Sequence, residues 1–145
     1  MNTKKIFTEH ELTILKALWK AKKPLTRPQI LEYIANQGMN PSSFHFAMNG
    51  LIEKGYVEVS GFERCGANYG RTYAAKKTRG DFVLNMLWDT RPDICDEEGV
   101  TEFMAAFVQR AQIDKKTICE LENLLAKRRK ELEEAEQDME SEMEE

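Results

Sequence analysis

Side chains able to break or make bonds are scarce in this sequence. His10 and His45 are its two histidines, and Cys65, Cys95 and Cys119 stand 30 and 24 positions apart, so no CxxC clamp exists. No Gly-rich phosphate loop occurs either. A nucleophile with its base, or a metal with its ligand set, cannot be assembled from these spacings, so no catalytic residue, metal ligand or cofactor is assigned and a non-enzyme is expected. The odd cysteine count argues for reduced thiols in a cytoplasmic protein, not a secreted disulfide framework. A metal sensor drawing on the cysteines and neighbouring acids stays open as a rival at this point.

Cations are what the sequence does supply. The net charge of −4 over 145 residues conceals a division: residues 1–80 hold 13 Lys and Arg against 6 Glu, or +7, and residues 81–145 hold 8 against 19, or −11. A basic first part suits a polyanion, and the acidic second part would be repelled by one. Candidate phosphate ligands are Thr26, Arg27, Lys54, Arg64, Arg71, Lys76, Lys77 and Arg79. Ser42, Ser43, His45, Phe46 and Asn49 form a separate polar and aromatic set able to read base edges: asparagine pairs with adenine through two hydrogen bonds, serine donates or accepts, and phenylalanine touches a thymine methyl.

These residues need elements to hold them. Thr8 with Glu11 reads as a capping box opening a helix whose apolar face is Leu12, Leu15, Leu18 and Trp19. Thr26, Pro28 and Gln29 start a short second helix that ends by Gly38. Asn40 and Pro41 start a third, with Phe44, Ala47, Met48, Leu51 and Ile52 facing inward, which turns the base-reading set outward. Tyr56–Val59 and Arg71–Ala74 pair as a hairpin across a long tip containing Gly61, Gly66, Asn68 and Gly70. Helix, extended link at Leu25, two helices and a hairpin make a winged helix-turn-helix.

The second part is read as helical. Asp81 opens a fourth helix, TRPDICDEEG breaks the chain, Thr101–Arg110 forms a fifth and Asp114 caps a sixth. Phe82, Met86, Leu87, Phe103, Phe107, Ile118, Leu121 and Leu125 are apolar positions at helical spacing, more than these helices can bury alone, so two copies are expected to share them. The fold class is therefore mainly α with a small β-hairpin: a winged-helix domain over 1–80, a helical dimerisation region over 81–140 and an acidic tail over 141–145. No stretch is apolar and long enough to span a membrane, and MNTKKIF lacks the apolar core of a signal peptide.

The segments FTEHELTILKALW, PLTRPQILEYI, the N-P-S-S and L-I-E-K-G-Y-V block, and FMAAFVQR with ICELENLL resemble the penicillinase-repressor (BlaI/MecI type) family in order and spacing. The resemblance implies a dimeric, bacterial repressor that binds a palindromic operator through its winged helix and dimerises through its C-terminal helices. It also implies a partner, a membrane peptidase that senses a β-lactam and triggers cleavage of the repressor. Two departures stand out. The recognition helix here lacks the Lys, Arg and Thr frequent in the family, so the operator differs, and the family's scissile Asn-Phe is matched only by Ala106-Phe107. The rival readings are release by a small molecule or metal bound in the helical region, and a winged helix that binds protein.

Overall fold

The computed structural model describes residues 6–144, so the opening MNTKK and Glu145, the end of the expected acidic tail, lie outside the described residues. Thr8 caps helix α1 (Glu9–Ala21), its hydroxyl accepting from the Glu11 amide at 3.2 Å. Glu11 does not complete the box. Its buried carboxylate takes the Lys54 ammonium across the interior instead. After the left-handed residue Lys22, a two-residue strand β1 (Leu25–Thr26) leads into α2 (Arg27–Tyr33), whose Thr26–Gln29 capping box is complete.

Gly38 supplies the left-handed turn (φ 70°) before Asn40, whose side chain accepts from the Ser43 amide at 2.8 Å and caps α3 (Pro41–Glu53). Phe44, Ala47, Met48 and Leu51 recur every three or four residues and are all buried, so one stripe of α3 is committed to the core. That core is completed by Ile14, Leu15 and Leu18 of α1, Leu25, Ile30 and Val57.

Strands β2 (Val57–Cys65) and β3 (Asn68–Ala75) pair antiparallel, with β1 on the other edge of β3. The hairpin differs from the expected one. Pairing runs from Val57↔Ala75 out to Cys65↔Asn68, so the tip is only Gly66 and Ala67, with Gly66 left-handed at φ 64°. The other glycines lie inside the strands. Gly61 sits at a register shift, and at Gly70 a Cβ would meet the Cys65 sulfur at 2.9 Å.

Helix α4 (Arg79–Thr90) begins two residues before the expected Asp81, because Thr78 and Asp81 form their own capping box. Phe82 corrects a second expectation. Assigned from sequence to dimerisation, it is buried among Phe7 (ring centroids 4.9 Å apart), Trp19 (5.6 Å) and Tyr56 (5.8 Å), inside the winged unit. The chain forms two compact units, Met1–Cys95 and Asp96–Glu145, with α4 and a 3-10 turn at Pro92–Ile94 in the first.

The second unit holds α5 (Glu97–Arg110) and α6 (Lys115–Met143). Helix α5 starts four residues earlier than Thr101, because the Asp96 carboxylate accepts from the Gly99 amide at 2.8 Å and glycine is tolerated in a capped first turn. Helix α6 starts as expected: Asp114 accepts from Thr117 at 2.8 Å, and 29 residues carry the helix about 43 Å.

Hydrogen bonds to their capping partners, chiefly Thr78 and Thr117, hold the Asp81 and Asp114 carboxyls below the ordinary carboxylate range. A lowered folded-state pKa stabilises the fold above the unfolded value and loses that contribution as pH falls through the folded one. Asp114→Asn keeps a good cap without the charge. The melting difference between wild type and Asp114→Asn, read by circular dichroism, is therefore expected to be constant near neutrality and to collapse below about pH 4.

Candidate nucleic-acid interface

Because α3 buries one stripe completely, its opposite stripe is presented to solvent. Phe46 is 80% exposed, which for a phenylalanine on an otherwise well-packed helix is the most unusual burial value in the winged unit. His45 and Asn49 are exposed beside it. Ser42 is exposed but its hydroxyl donates to the Asn40 side chain at 2.7 Å, and Ser43 is half-buried at the cap. The free donors and acceptors of this face are thus concentrated on His45 and Asn49, with Phe46 between them.

Arg27, at the start of α2, lies with its guanidinium 5.5 Å from the centre of the Phe44 ring, which holds an exposed cation over the base of α3. Thr26 does not join it. The residue is buried and its hydroxyl caps α2, so it is corrected from phosphate ligand to helix cap. Lys54 is likewise engaged inside the protein, its ammonium on Glu11 and 4.9 Å from the Phe7 ring centre.

On the hairpin, residues paired across an antiparallel ladder share a face, and so do residues two apart. Phe62↔Arg71 and Arg64↔Tyr69 are such pairs, so a single face of the wing carries two arginines interleaved with two aromatics. Phe62 and Tyr69 are 71% and 75% exposed. Sequence reasoning found the arginines and missed the aromatics, because the alternation that sets Phe62 and Tyr69 beside them became visible only once the register was known. Arg64 also donates to the Gly66 carbonyl at 3.2 Å, fixing it near the tip.

Lys76, Lys77 and Arg79 leave the base of the wing, not its tip. Lys77 accepts the Trp19 indole N–H on its carbonyl at 2.8 Å and lays its ammonium 4.6 Å from the Tyr56 ring centre, while Arg79 covers Trp19. Eight strand residues at about 3.3 Å each separate them from the tip by about 26 Å. The candidate cations therefore divide into a set around α3 and the wing, and a set at the wing's base.

The expected dimerisation positions lie elsewhere. Met86, Leu87, Phe103, Phe107, Ile118 and Leu125 are between 39% and 69% exposed, and Leu121 is half-buried. After Phe82 no described residue is buried at all, so the second unit has apolar stripes and no interior of its own.

Among the described residues no group of His, Cys, Asp and Glu is arranged to hold a metal ion, and no helix is long and apolar enough to cross a membrane. A family model described as Penicillinase repressor matches residues 7–127 of the chain, covering both the winged unit and most of the helical one. No curated protein matches it.

Proposed function

The chain belongs to the penicillinase repressor family and is a DNA-binding transcriptional repressor, and from that premise we propose that it binds a palindromic operator as a homodimer, with α3 in the major groove and the wing along the backbone. The observation that carries this reading is the exposed stripe of His45, Phe46 and Asn49 on a helix whose other side buries Phe44, Ala47, Met48 and Leu51. Phosphate contacts from Arg27, Arg64 and Arg71 flank it and set its register. Dimerisation rests on the second unit, whose apolar side chains need a partner to leave water. Twofold symmetry then requires two half-sites about one DNA turn, roughly 34 to 36 Å, apart.

Two substitutions separate base reading from backbone binding. Asn49→Ala is expected to cost about 1 to 3 kcal/mol on the operator and to relax one base position, leaving random DNA unaffected. Arg64→Ala is expected to weaken operator and random DNA alike and to lower the slope of log affinity against log salt by about one. Fluorescence anisotropy on the palindrome upstream of the protein's own gene, with a scrambled duplex beside it, reads both. Equal losses on the two duplexes for Asn49→Ala would remove Asn49 from the base-reading set.

A further inference from the structure

The second cationic set is larger than the sequence reading made it. At the base of the wing the last turns of α1 and the loop after it meet the segment that follows β3, and together they line an open groove of about 930 Å³. Lys16, Lys20, Lys22 and Lys23 come from the first segment, and Lys76, Lys77 and Arg79 from the second. Trp19 lies in its wall, locked by its bond to the Lys77 carbonyl. No carboxylate lines the groove, and among the described residues none of these seven cations is in a salt bridge.

Seven like charges around one groove repel one another, and the Asp81 carboxylate, which interacts with Lys77, offsets only part of that repulsion, so a bound counter-charge is favoured. A ligand with one or two negative charges would leave most of them unneutralised. A phosphodiester backbone offers a series of charges at a spacing that several lysines can meet, and each contact releases condensed counterions. The groove lies about 26 Å from the wing tip, too far to share the phosphates that Arg64 beside Gly66 would take, while Arg71, four residues before Ala75, stands about 13 Å from it.

We propose that this groove is a second DNA-backbone track, which grips duplex flanking the half-site held by α3 and the wing. The proposal rests on the operator-binding reading above and adds a partner surface to it: Lys16, Lys20, Lys22 and Lys23, which that reading does not use, become phosphate ligands. It makes the protein's footprint longer than its palindrome.

The test compares two duplexes carrying one palindrome recovered by selection from random-sequence DNA, one trimmed to the palindrome and one extended by about a DNA turn and a half on each side. The variant is Lys16→Gln, Lys20→Gln and Lys23→Gln with Lys22→Asn, because asparagine tolerates the left-handed backbone there (φ 56°). All four positions are exposed, and an unchanged melting curve shows that the variant folds. Wild type is expected to prefer the extended duplex. The variant is expected to lose at least about tenfold on it, with a salt slope lower by about 3 to 4, and to match wild type on the trimmed one.

Equal affinity of wild type and variant on the extended duplex overturns the track, and so does an equal loss on both lengths, which would put the lysines within the half-site. If selection recovers no sequence that wild type prefers over random DNA, the operator-binding reading itself fails. A groove that fails alone leaves wild-type selectivity intact, so the two failures are told apart.

Discussion

Replacing Phe107 and Ile118 together by aspartate is expected to convert the proposed dimer into monomers and to weaken operator binding by about 10²- to 10⁴-fold, the range lost when two linked contacts become independent. Both side chains are large, apolar and close to half exposed, at 46% and 41%, on helices that bury no residue of their own. An aspartate at either position gives up some packing in the isolated chain, such as that of Phe107 on Phe103, and costs far more inside an apolar interface, where an unpaired charge must be desolvated. Sedimentation should show the mass halved at micromolar concentration, and the steep concentration dependence of binding should flatten. Binding to a single half-site is expected to survive, because the interior of the winged unit runs from Ile14 to Phe82 and includes neither position. A variant that stays dimeric, or one that sediments as a monomer yet holds the palindrome at full strength, would separate these stripes from operator binding.

What the sequence makes legible follows how local each signal is. Helix starts set by a side chain and an amide three residues away are readable at Thr26, Asn40 and Asp114, and the inward stripe of α3 follows from spacing except at Ile52, which the structure leaves 38% exposed near the helix end. The short hairpin tip is not legible in the sequence, because Gly61 and Gly70 look like loop residues. Their role depends on contacts across the ladder, a bulge at one and the Cys65 sulfur at the other. The same non-local information hid Phe62 and Tyr69 from the candidate interface and moved Phe82 from the dimer to the core, since nothing near Phe82 in the chain reveals that Phe7, Trp19 and Tyr56 surround it. Charge by segment marks residues 1–80 as the basic part, whereas the first compact unit runs on to Cys95. It could not say which cations are spent inside the protein, because that depends on where the acids come to lie.

Lys54 shows how much turns on that last point. As a phosphate ligand it would be replaceable with no loss of stability, at the cost of about one unit of salt slope. As the partner of Glu11 it neutralises a carboxylate that is almost wholly enclosed, with side chains 23% and 5% exposed, and it links the third helix to the first. Lys54→Met is therefore expected to destabilise the protein by about 3 kcal/mol, because removing one member of a buried pair strands the other charge. For a unit of this size that is a fall of roughly 12 to 24 °C in Tm. Adding Glu11→Leu should recover most of the loss, since two apolar groups in place of a buried pair are often neutral. Gly50 lies against the pair: a Cβ there would come 2.9 Å from the Glu11 carboxylate, so a side chain at residue 50 would push that carboxylate aside. Calorimetry on the single and double variants gives the coupling, and the salt slope of the folded Lys54→Met protein, measured well below its Tm, should equal that of wild type. A slope reduced by one with an unshifted Tm would return Lys54 to the DNA.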